Sequence, residues 1–162
     1  MEGLQIRKLR KEELPLLEEF LYHAIYQGEE GATLPHAIIK EPSLAVYIDC
    51  FGKKDDHCLV ADYHGKVIGA VWARVFAGEP KGFGYLDNQT PELAMSLLPG
   101  YRGKGVGTML IKAMLALLKT QGYRRVSLSV QKSNYAVSLY QKVGFVVVSA
   151  TKDETIMAAQ LS

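Results

Sequence analysis

Six consecutive residues, Arg102-Gly103-Lys104-Gly105-Val106-Gly107, hold three glycines and two cations, and Thr108 follows them. Without a Cβ, glycine lets a ligand come directly against the main chain. Behind this run Val106, Met109, Leu110, Ala113, Met114, Leu117 and Leu118 recur at helical spacing, ending near Gly122, so the glycines open a helix. The first turn of a helix carries unpaired N–H groups and the positive end of the helix dipole. With Arg102 and Lys104 at its mouth, this turn is a site for a phosphate or similar anion. Spacing narrows the choice. A P-loop needs Ser or Thr after its lysine, whereas Gly105 follows Lys104 and Leu98 stands where the first glycine belongs. The dinucleotide fingerprint needs glycine where Thr108 stands and an acidic residue some twenty positions on, which is absent. Both common nucleotide-binding patterns are disfavoured.

The same run resembles the Arg/Gln-x-x-Gly-x-Gly/Ala signature of the GNAT superfamily of acetyl-CoA-dependent N-acetyltransferases. A second block, Asn134-Tyr135-Ala136-Val137-Ser138-Leu139-Tyr140-Gln141-Lys142-Val143-Gly144-Phe145, is similar to that family's Asn-x-x-Ala-x-x-Leu-Tyr-x-Lys-x-Gly-Phe segment. Leu97-Leu98-Pro99-Gly100-Tyr101 looks like the strand end before the signature, so the likeness covers about residues 90–148. It implies the α/β GNAT fold: a mixed, mostly antiparallel sheet splayed between two central parallel strands, flanked by helices, as one domain over residues 1–162. It also implies acetyl-CoA as co-substrate, with no metal. The main chain at Leu97 and Leu98 would bind the pantetheine arm, with the Leu97 N–H at the thioester oxygen. Arg102, Gly103, Lys104, Gly105, Val106, Gly107 and Thr108 would hold the pyrophosphate. Asn134 would contact the arm, and it equally fits the cap of the helix it opens. Tyr140 would border the cofactor as general acid to the departing thiolate, and Glu92 would be the base, directly or through a water.

Attack of an amine on a thioester needs a neutral amine, a donor for the developing oxyanion and a proton for the leaving thiolate. A phenol suits the last task, and Tyr140 shares a helix face with Ala136. Glu92 is less simply placed. Alternation sets it with Ala94, Ser96 and Leu98, opposite Leu93, Met95 and Leu97, so a bulge is expected if Glu92 is to face the cleft. Asp87, Asp62 and His64 remain other choices of base, and some amines need none.

These residues require elements to position them. Residues 4–9 alternate as a half-buried strand, and Glu12 and Glu13 then open a helix carrying Leu14, Leu17, Leu21, Ala24 and Ile25. Residues 27–42 read as a loop, followed by a short helix over residues 43–51; this stretch is the expected lid. Apolar runs at 58–61 and 67–76 form a hairpin around Gly65, residues 78–89 a loop, and residues 92–98 the strand before the glycines. After them come a strand at 126–130, the helix capped by Asn134 and closed by Gly144, and strands at 145–148 and 155–159. Trp72 belongs to the core.

The chain has 162 residues, 48% of them hydrophobic and 22% charged, a balance that excludes disorder and low complexity. No apolar run approaches membrane-spanning length, and residues 1–7 lack the apolar core of a signal peptide, so cytoplasm is the expected location. Cys50 and Cys58 suit neither a disulfide framework nor a zinc site and are expected to pack as small hydrophobes. The net charge of +2 conceals a division: residues 1–92 sum to −5, residues 93–152 carry nine Lys or Arg and no acid, and the last ten residues add −2. An anionic ligand therefore suits the C-terminal half and a cationic acceptor the N-terminal half. Nucleic acid fits poorly, because the basic residues are scattered over several elements. The sequence thus points to acetyl transfer onto a small-molecule or peptide amine. A non-catalytic acyl-CoA-binding module is the alternative; a longer acyl group and a homodimer remain open.

Overall fold

The computed structural model describes residues 1–25 and 34–162. Among the described residues seven strands form one sheet: β1 (Leu4–Lys8), β2 (His57–Tyr63), β3 (Lys66–Arg74), β4 (Glu92–Leu97), β5 (Arg125–Gln131), β6 (Val146–Ala150) and β7 (Glu154–Gln160). Their spatial order is β1-β2-β3-β4-β5-β7-β6, and every neighbouring pair is antiparallel except β4 with β5. The helices are α1 (Leu16–Ala24), α2 (Pro42–Ala45), α3 (Val106–Thr120) and α4 (Ala136–Lys142). Among the described residues, no helix is long and apolar enough to cross a membrane.

β3 has a continuous apolar run because both its faces are covered. Val71 and Ala73 join Leu110, Ile111, Met114 and Leu118 of α3 in one core, while Ala70 and Trp72 join Leu17, Phe20 and Leu21 of α1 in another. The feature that shapes the site lies beside β4. β3 follows β4 along its whole length, from Arg74 opposite Glu92 to Gly69 opposite Leu97, without a shift in register. On its other edge β4 meets β5 at one pair, Glu92 with Ser127, supported by the Ser127 N–H donating to the Pro91 carbonyl at 2.9 Å. Past that pair the strands part, and the gap between them is the expected cleft.

Several local expectations need correction. Glu12 and Glu13 do not open the first helix: Lys11–Glu13 form a 3₁₀ turn and α1 starts only at Leu16. The Glu13 carboxylate is drawn away by the Arg7 guanidinium at 2.8 Å and the Arg10 N–H at 2.8 Å. The hairpin strands run farther than their apolar cores, leaving His64 (φ 51°) and Gly65 (φ 88°) as a two-residue turn. Of the expected loop and lid, the described part holds a 3₁₀ helix, His36–Lys40, and residues 26–33 lie outside the described residues. The next helix covers only Pro42–Ala45. Cys58 is buried, and burial pushes its thiol up to about 12, but Cys50 is exposed on a turn with φ 55°. Trp72 is core.

Candidate active site

The glycine turn requires its glycines for conformation. Gly103 and Gly105 have φ of 75° and 84°, a region costly for residues bearing a Cβ. A Cβ built on either would meet nothing within 4 Å, so the space in front of the turn is open. Gly105 is the N-cap of α3 and no side chain among the described residues caps this helix, which leaves the first-turn N–H groups of Val106, Gly107 and Thr108 facing that space. Gly107 is different. A Cβ there would lie 3.5 Å from Met95 Cε, 3.7 Å from Leu139 Cδ2 and 3.9 Å from Leu97 Cδ1, so this glycine sits where α3, β4 and α4 converge. Arg102 turns back, its Nε donating to the Leu97 carbonyl at 3.4 Å, while Lys104 is exposed.

The main chain of β4 divides its groups between two sides. The Leu98 N–H donates to Ile68 O at 2.8 Å, so it is committed to β3 and does not face the cleft beside Leu97. Because main-chain groups alternate in direction along a strand, Met95 and Leu97 present theirs to the open edge. Leu97 is five residues, roughly 16 Å, from Glu92 along the strand, and Met95 roughly 10 Å.

Glu92 keeps the parity of Ala94 and Ser96, and β4 has no bulge to turn it. Its side chain therefore lies on the α1 face, where Ser96 Oγ donates to Phe20 O at 2.6 Å. Glu92 is only 2% exposed. Tyr47, on the turn after α2, donates its hydroxyl to Oε2; Oε1 is buried with no hydrogen-bond partner among the described residues. Burial raises the carboxyl to about 7. A strap, Gly82-Phe83-Gly84, lies across it. A Cβ on Gly82 would fall 2.1 Å from Oε1, and one on Gly84 2.8 Å from the Leu128 carbonyl carbon, so only glycine lets the strap seat this closely. The strap is held by Ser127 Oγ donating to Gly84 O at 2.7 Å and by its Phe83 N–H donating to the Tyr47 hydroxyl at 2.8 Å. Nothing in the sequence singles out Tyr47, and the Gly-x-Gly spacing at 82–84 is the signal it carries for the strap.

Tyr140 is 7% exposed and meets Phe145 edge to face at 5.7 Å between ring centroids, in the core shared with α3. Burial raises its phenol well above the ordinary value and keeps it protonated. Asn134 Oδ1 accepts the Ala136 N–H at 2.9 Å, so its capping role is realised. The other three bases are engaged elsewhere. Arg125 binds Asp87 at 2.6 Å and holds its carboxyl down at about 2. Asp62 accepts from Arg7 at 3.0 Å and from the Gly65 N–H at 2.8 Å. His64 packs beside Tyr63 at the hairpin turn.

Known proteins resemble this chain in sequence over part of its length and in overall fold. The mycothiol acetyltransferase of Corynebacterium glutamicum (strain R) is 35% identical over 74 residues, 43% of this chain and 25% of that protein. The [ribosomal protein bS18]-alanine N-acetyltransferase of Haemophilus influenzae is 37% identical over 59 residues, 36% of this chain and 40% of that protein. Each likeness thus covers less than half of the curated relative's own length. The fold is shared with the PaiA N-acetyltransferase of Thermoplasma acidophilum, a structure in complex with coenzyme A: TM-score 0.68, 23% identity, covering 97% of this chain and 98% of that one. The Acetyltransferase (GNAT) family matches residues 20–145, most of the chain, and the protein belongs to that family.

Proposed function

We propose that this protein transfers the acetyl group of acetyl-CoA to a primary amine of a small molecule or protein, by direct attack within a ternary complex. The observation that carries this reading is the parting of β4 from β5 beside the open first turn of α3. The N–H groups of Val106, Gly107 and Thr108, with Arg102 and Lys104, suit a pyrophosphate. The outward main-chain groups of Met95 and the Leu97 N–H, on the open edge of β4, suit the amides of pantetheine. The Leu97 N–H serves as oxyanion donor, and Met95 offers the same edge nearer to Glu92.

Glu92 takes the amine's proton through a chain of waters, the carboxyl value near 7 leaving a large ionised fraction at neutral pH. The neutral amine nitrogen then bonds to the carbonyl carbon and loses its second proton to solvent, the carbon–sulfur bond breaks, and Tyr140 protonates the departing thiolate and is reprotonated from solvent. The net charge of −5 on residues 1–92 favours a cationic acceptor. Amine acceptors also agree with the relative named for the alanine of a ribosomal protein. The test is thiol release from acetyl-CoA and from longer acyl-CoAs across a panel of cationic, neutral and anionic amines. Steady turnover, fastest with acetyl-CoA and a cationic amine, is the expected result. Tight binding of acetyl-CoA without turnover on any amine would leave a binding module instead.

A further inference from the structure

Tyr47 does more than fill volume beneath the strap. Its hydroxyl is used in both directions, donating to Glu92 Oε2 and accepting the Phe83 N–H at 2.8 Å. Its own carbonyl accepts the Trp72 indole N–H at 3.2 Å, and its ring meets Phe76 edge to face at 5.5 Å. The residue is thus held at its main chain and at its hydroxyl, and is 7% exposed. One phenol oxygen joins three segments that are remote in sequence: the turn after α2, the start of β4, and the strap.

We propose that Tyr47 is a positioning residue for the transfer reaction: it holds the Glu92 carboxylate by Oε2 and ties to the same point the strap that covers Oε1. This rests on Glu92 being the base. The surrounding charges give the bond its weight. Arg74 is the cross-strand neighbour of Glu92, but its guanidinium is bound to Asp56 at 3.0 Å and to Val46 O at 2.9 Å. Glu154 of β7 adds a negative charge that opposes ionisation of both Glu92 and Tyr47. The hydroxyl is therefore the side-chain group that favours the ionised carboxylate, alongside the Gly84 main-chain N–H of the strap it anchors, and a hydrogen bond to the charged form lowers the pH at which that form appears.

The test compares pH–rate profiles of the parent, Tyr47→Phe and Glu92→Gln with one amine throughout, alongside acetyl-CoA affinity and Tm. The parent should show a limb near pH 7 in kcat. Glu92→Gln should lose that limb. In Tyr47→Phe it should move to higher pH by about one unit, with kcat down about tenfold and acetyl-CoA affinity within about twofold. Fluorotyrosine at position 47, a stronger donor of nearly the same size, should move the limb to lower pH and covers the case in which the phenylalanine variant folds poorly. If Glu92→Gln keeps the limb, Glu92 is not the base and the reading beneath the proposal fails. If Glu92→Gln loses it while neither change at Tyr47 moves it, Glu92 stands as base and Tyr47 is structural only.

Discussion

Two buried acids of opposite task, a phenol and a carboxyl, dominate the chemistry at the scale of single residues. Tyr140→Phe removes one hydroxyl from a packed ring. Acetyl-CoA affinity and Tm should change little while kcat falls by about 10²–10⁴, the loss typical of a general acid. A rate near the parent's, with chemistry shown to be limiting, would mean that water protonates the thiolate. Glu92 leaves a mark on folding as well as on rate. Its carboxyl rises from 4.5 to about 7 on folding, so the native state binds the proton more tightly than the unfolded chain. Stability is therefore fullest below pH 4.5 for this group and declines as pH rises through 7, by about 3 kcal/mol. Urea melts at pH 5 and pH 8 should show that decline in the parent, and Glu92→Gln should remove most of it. An equal decline in both proteins would assign the pH dependence to other groups.

Elements differed in how much of them could be read from the residues. α3 was plain, because fifteen residues with one apolar stripe and a glycine at each end leave little competition. The alternation in β4 also placed Glu92 on its true face; what alternation could not supply was the strap that buries it there. The start of α1 was misread because Glu13, a natural first-turn residue, is drawn toward Arg7 of β1 by a contact between elements. Tyr47 was invisible for a similar reason: its partner carboxylate is 45 residues away. The N-terminus of α3 carries its own prediction. Gly105→Val must place a β-branched residue at φ 84°, forcing the turn to another shape. Calorimetry should find coenzyme A binding weakened by well over tenfold, roughly 1.4 kcal/mol per decade. Unchanged affinity in a folded variant would remove the turn from the binding site.

Charge and sheet divide differently across the whole molecule. The basic stretch, residues 93–152, includes α3, α4 and β5, and the acidic stretch includes β1 to β3, but α3 packs on β3, so the line between the signs does not follow the parting of β4 and β5. That parting has a consequence for how the protein melts. Strands β1 to β4 and β5 to β7 are two half-sheets joined along their common edge by one pair, so the ladder itself transmits little cooperativity between them. A ligand seated in the gap and bonded to β4 and α3 would act as a missing rung. Acetyl-CoA at a hundredfold its Kd should add about 2.7 kcal/mol by mass action alone. The rung predicts more than that sum: the amides of β4 and β5 nearest the parting should exchange with solvent together when the ligand is present and independently when it is not. Uniform slowing of every amide would reduce the ligand to a passenger on an already rigid frame.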